Sequence, residues 1–78
     1  MTLNIISAQS TLFSGEVKSV TLPGQMGSFT VLHNHASLIS TLTKGKIVYE
    51  DQQGAKHDTD IDGGIVSVNE NIIAVCVA

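Results

Sequence analysis

Apolar residues recur along this chain at every second position, or in short runs closed by glycine, proline or asparagine. No window keeps the i, i+3, i+4 spacing of an amphipathic helix, so the pattern is one of strands. The alternation predicts strands over Leu3 to Ser7, Glu16 to Leu22, Ser28 to Leu32, Ala36 to Leu42, Lys46 to Glu50, Ala55 to Ile61, Gly64 to Val68 and Ile72 to Val77. Short strands at such close spacing pack as two layers. The predicted fold class is therefore all-β, a small antiparallel β-sandwich of about eight to ten short strands in a single domain over residues 1–78.

The predicted turns have chemical reasons. Pro23 presets φ for a turn entered from Leu22, and Gly24 and Gly27 can take positive φ. Asp51-Gln52-Gln53-Gly54 reads as a hairpin loop, and Asn69-Glu70-Asn71 closes the last hairpin.

Size and composition narrow the function. A chain of 78 residues hides only about 60% of its unfolded surface on folding. With 42% apolar residues it can build one thin core but has no room for an enclosed active-site cavity. Four lysines, no arginine and seven acidic residues give a formal charge of −3, so no basic stripe exists to follow a phosphate backbone, and nucleic-acid binding is not expected. The longest apolar run, Ile72 to Ala78, falls far short of the ~20 residues that cross a bilayer as a helix, so direct membrane insertion is not expected either. Met1-Thr2-Leu3-Asn4 has no basic segment leading into an apolar one, so no secretion signal is expected. Cys76 has no partner for an internal disulfide, which fits a reducing compartment.

Several side-chain patterns invite a chemical reading. Asp58-x-Asp60-x-Asp62-Gly63-x-Ile65 copies the start of an EF-hand calcium loop, but its ninth position is Val66, its twelfth is Asn69, and its flanks read as strands. His33-x-His35 would place two imidazoles on one face of an extended segment, and with His57 or an aspartate could hold zinc or iron; Asn34 between them argues for a loop instead. No serine or cysteine shows the base, orienting group and oxyanion donors that nucleophilic catalysis needs. Cys76 reads as a core or packing thiol, and Phe13, Phe29 and Tyr49 read as core. Gly24-x-x-Gly27 lacks the following Lys-Ser/Thr of a phosphate loop. Neither a catalytic residue nor a cofactor or metal ligand is assigned.

Two marked stretches sit at fixed separation: Phe13-Ser14-Gly15-x-Val17-x-x-Val20 leads into Leu22-Pro23-Gly24-x-x-Gly27, and Val31-Leu32-x-x-His35-Ala36-x-Leu38 follows. With Lys44-Gly45-Lys46-Ile47 and Gly63-Gly64-Ile65-x-x-Val68, this order resembles the epsilon subunit of F-type ATP synthase across essentially all 78 residues. The resemblance implies a non-catalytic central-stalk subunit that links gamma to the ring of c subunits and supports coupling of ion passage to ATP synthesis. It implies no cofactor, and a peripheral place at the cytoplasmic face of the bacterial inner membrane. By the same resemblance, Gly27, Ser28, Phe29, Thr30, Val31, Leu32 and His35 form the base that meets gamma and the c ring, and Ser7 lies close to gamma. The family's sandwich is normally followed by a pair of helices that inhibit ATP hydrolysis. With Ala78 as the last residue, the expectation is a C-terminal helical domain that is absent, and coupling without that inhibition.

This chain departs from the family where the base is formed. Ser28 stands where an acidic residue is frequent, Thr30 where glycine is, His33-Asn34 where Pro-Gly is common, and Ser37 where proline is. These exchanges alter the stiffness of the loop. The alternatives are a small metal-binding β-sandwich enzyme or sensor using His33 and His35, and a lipoyl or biotinyl carrier. Lys44-Gly45-Lys46 lacks the Met-Lys-Met or Asp-Lys-Ala pattern the carrier needs.

Overall fold

The computed structural model describes all 78 residues, and every regular element in it is a strand. The strands are β1 (Thr2–Ile6), β2 (Thr11–Gly24), β3 (Gly27–Leu32), β4 (Leu38–Leu42), β5 (Gly45–Asp51), β6 (Lys56–Ile61), β7 (Gly64–Asn69) and β8 (Ile72–Val77). They are hydrogen-bonded in the order β1-β8-β7-β4-β2-β5-β6, with β3 added to β2 and β1 also paired with β2. One layer is thus the first half of β2 with β1, β8, β7 and β4. The other is β3, the second half of β2, β5 and β6.

All pairings are antiparallel except β1 with β8, which run parallel with Leu3 opposite Ile73 and Ile5 opposite Val75. Alternate residues face inward, as the period-two pattern requires. The core is one cluster of 14 residues that includes Leu3, Ile5, Val20, Leu22, Val31, Ile47, Val66, Ile73 and Val75, and no polar or charged residue is buried. Each such Val, Leu or Ile removed from water contributes roughly 1.5–3 kcal/mol before chain entropy is subtracted.

Strand β2 starts at Thr11, five residues before the alternation predicts. Gly15 disguises this part of the strand. It sits opposite Leu3 and leaves space for the Phe13 ring, whose tip lies 3.1 Å from where a Gly15 Cβ would be. Phe13 in turn packs on Tyr49, ring centroids 4.4 Å apart.

The turn predicted at Pro23 lies elsewhere. Pro23 is within β2 opposite Ser28, and the chain reverses at Gln25-Met26, between Gly24 and Gly27. A proline is tolerated there because it sits one residue from the strand's end, and its carbonyl accepts the Thr43 N–H at 2.8 Å. Gly27 does take positive φ (126°), but Gly24 does not. Gly24 is required for close approach, since a Cβ on it would lie 2.6 Å from the Gly27 oxygen and 2.8 Å from the Phe29 ring. The other two turns form as predicted. Glu70 and Asn71 adopt φ of 50° and 63°, the left-handed pair that matches strand twist in a two-residue hairpin.

Candidate functional site

No charged residue occurs in β1, β3, β4, β7 or β8. Strand lysines and acids are confined to β2, β5 and β6, where Lys46 bridges Asp58 and Asp60 at 3.8 and 3.4 Å. The outer face of the β1-β8-β7-β4 layer is consequently neutral, and apolar side chains alternate on it with small polar ones. Strand register sets Ile6, Cys76, Ile65 and Thr41 in one row across the four strands, and Asn4, Ala74, Ser67 and Ile39 in the next. Ile39 is 79% exposed, and Ile65 and Ile72 are more than half exposed. A shallow open groove lined by Ser37, Leu38, Ile39, Ser67, Val68 and Asn69 runs along β4 and β7.

Beside this face, Glu16 lies opposite Thr2 on the adjoining strand. The Thr2 hydroxyl and then the Met1 ammonium hold its carboxyl below the usual carboxylate range. Glu16 is thereby occupied within the chain. Strand β4 has a second property: beyond the single Leu42–Gly24 pair, its outer edge has no strand partner. Free backbone groups therefore lie beside the exposed Ile39 side chain.

The residues named from the sequence fall in three places. Ser7 follows β1 directly, and its N–H donates to the Ser10 carbonyl (2.8 Å) while its Oγ accepts the Ser10 N–H (3.2 Å). Gly27 to Leu32 form β3, the edge strand of the other layer. Ser28, Thr30 and Leu32 project outward, Phe29 packs against the core, and the Val31 side chain is fully buried, so Val31 offers a partner only its backbone. His35 lies in the turn after β3, with its N–H on the Leu32 carbonyl (3.1 Å) and Nδ1 2.7 Å from the Ala36 oxygen. Ser7 and His35 are not brought together. Thr2 begins β1 beside Asn71 at the end where the His35 turn lies, and Ser7 is five residues further along, about 16 Å at ~3.3 Å per residue.

His33 and His35 occupy a turn, with φ of 63° at the intervening Asn34, instead of one face of a strand. His57 is held elsewhere, its Nε2 2.8 Å from Asp51 Oδ2 and its ring stacked on Tyr49. No three His, Cys, Asp or Glu side chains converge. The Asp58-to-Asp62 stretch runs along β6 and ends in the connection to β7, so strands and not helices flank the Asp62-Gly63 turn. Cys76 differs from the sequence expectation. It is exposed on the outer face of β8, not packed in the core.

The model of the ATP synthase Delta/Epsilon chain beta-sandwich domain matches residues 1–78. The chain belongs to this family. Its relatives include proteins named ATP synthase epsilon chain from Wolinella succinogenes, 46% identical over 86% of this chain and 51% of the relative, and from Campylobacter fetus, 40% identical over 96% and 58%. The chain thus spans about half the length of the curated relatives it matches. A chain of the Euglena gracilis mitochondrial ATP synthase (OSCP/F1/c-ring) superposes with a TM-score of 0.89 at 23% identity, covering 96% of this chain and 48% of that one. One from the Tetrahymena thermophila mitochondrial ATP synthase central stalk and c ring does so at 0.81 and 13%, covering 97% and 61%. At such identities the superpositions establish a shared fold.

The neutral face was missed in the sequence reading, although a signal for it exists. Ile72 to Val77 is apolar at both parities, and Ile65 adds an apolar residue to the outward parity of β7. A strand apolar on both sides is one covered on both sides.

Proposed function

We propose that this sandwich is a non-catalytic rotor element of an F-type ATP synthase. It joins gamma to the ring of c subunits in the central stalk and carries torque between them. Gamma covers the neutral face of β4, β7, β8 and β1 together with the adjoining His35 turn, while β3 faces the ring. The domain is peripheral, held at the cytoplasmic side of a bacterial inner membrane by its partners.

The observation that carries this reading is Ile39, 79% exposed on the open edge strand of a charge-free face. Depletion of charge around protruding apolar side chains is what distinguishes the centre of a protein interface from ordinary surface. Family membership supports the ATP synthase stalk as the assembly in which such a face has a partner. The only close histidine–carboxylate pair, His57 with Asp51, fastens the end of a hairpin, a structural use of those groups. Mechanical coupling needs stiffness, which cross-strand bonding and a close-packed apolar interior supply.

Capture of the tagged chain from membranes tests the assignment. Gamma and c subunits are expected to co-purify with the wild type and to be lost with Ile39→Asp, whose fold is retained because the site is exposed. Failure of the wild-type chain to retain gamma would overturn the reading.

A further inference from the structure

Every non-glycine residue with positive φ in this chain, Asn34, Glu70 and Asn71, lies in one of two turns that meet at one end of the sandwich. Thirty-seven positions apart in sequence, Asn34 and Asn71 bond reciprocally. The Asn34 backbone N–H donates to Asn71 Oδ1 at 2.6 Å, and Asn71 Nδ2 donates to Asn34 Oδ1 at 3.0 Å. A second tie joins the same two segments, from Ser37 Oγ to Asn69 Oδ1 at 2.9 Å. The hairpin side of this clasp is itself anchored, because the Asn71 carbonyl accepts the Thr2 N–H at 2.9 Å.

The His33–Ser37 segment contains neither proline nor glycine, so its own backbone does little to restrict its shape. It is fastened near both ends to the β7–β8 hairpin, and His35 and the start of β4 lie within or beside the fastened stretch. These bonds are exposed and compete with water, so they add little to global stability. Their effect is to remove alternative loop shapes. Asparagine suits the task because its short amide tolerates the left-handed region and can bond a neighbouring turn. Backbone held in a sparsely populated region by its surroundings is a mark of a site that is set in advance.

We propose that Asn34 and Asn71 are positioning residues that fix the His33–Ser37 turn, with its His35 and the adjoining β4 edge, in the shape that docks on gamma. This rests on the stalk reading above. The paired amides do for this turn what a proline would do covalently, lowering the ordering cost paid on association.

The test uses the full chain with purified gamma. Asn71→Gly keeps the positive φ and removes both amide bonds. Asn34→Asp keeps both, since its N–H still donates and its carboxylate accepts from Asn71 Nδ2. Asn71→Gly is expected to weaken gamma binding about five- to tenfold, to leave Tm nearly unchanged and to speed amide exchange at His35 and Ser37. Asn34→Asp is expected to bind like the wild type. Wild-type affinity in Asn71→Gly, or a loss that merely tracks a fall in Tm, would overturn the positioning role alone. If wild-type chain itself does not bind gamma, the stalk reading falls and this role with it.

Discussion

His57 reaches across the β5–β6 hairpin so that its Nε2 lies 2.8 Å from Asp51 Oδ2, while Asp51 Oδ1 accepts the Gln53 and Ala55 N–H groups at 2.9 Å each. The carboxylate is the hub of that hairpin, joined on one side to a side chain and on the other to the turn it closes.

A pH dependence follows from this hub. The His57 hydrogen bond first, then that from Ala55, hold the Asp51 carboxyl below its ordinary range. A group with a lowered native pKa stabilises the fold above its unfolded value, about 3.9 for aspartate, and that contribution is lost as pH falls through the native value. The wild type is expected to exceed Asp51→Asn in Tm at pH 6, with the gap closing as pH falls below about 4. A gap unchanged at pH 2 in thermal melts would refute the role given to the ionised carboxylate.

The two faces of the β1-β8-β7-β4 layer make opposite predictions for isoleucine. Ile73 is fully buried, and Ile73→Ala is expected to cost about 2–5 kcal/mol in urea unfolding. Ile39→Ser, on the outer face, is expected to change stability by less than about 0.5 kcal/mol yet to weaken gamma binding by at least about tenfold. Equal effects of the two substitutions on stability would remove the distinction between core and docking face.

Gly24 tests the tight end of the β2–β3 hairpin. Because the atoms a Cβ would strike include the Gly27 carbonyl oxygen as well as the Phe29 ring, rotation of one side chain cannot relieve the clash. Gly24→Ala is expected to cost about 1–3 kcal/mol, a fall in Tm of at least about 4 °C for a domain of this size. An unchanged melt would show that the hairpin end yields freely.

Cys76 is expected to react stoichiometrically with a maleimide in the native isolated chain, since it is exposed beside Ile6 and Ile65. Labelling only after denaturation would place it in the core after all.

That thiol illustrates how far the sequence can be read. Strands were legible where one parity is apolar, as with Ile47 and Tyr49 or Val66 and Val68, and where the turns carry Gly54, Gly63 and Asn71. The sense of burial in β8 was not legible, because Ile73 and Val75 face the core while Ile72, Ala74 and Cys76, nearly as apolar, face outward. Hydrophobicity alone does not tell a strand covered by its own fold from one covered by another chain. The first half of β2 was concealed by Gly15, whose reason is the Phe13 ring beside it. The Asn34–Asn71 clasp depends on a register that joins positions far apart in the chain, and composition holds no trace of it.

Strand β2 has one further consequence. Its 14 residues pair with β1 at one end and with β3 and β5 at the other, so a single continuous backbone belongs to both layers. Sliding one layer over the other would have to break hydrogen bonds or stretch covalent bonds in β2, not merely slip greasy surfaces past each other. A shearing load is thereby met by a tensioned cable, and the sandwich can be thin without being soft.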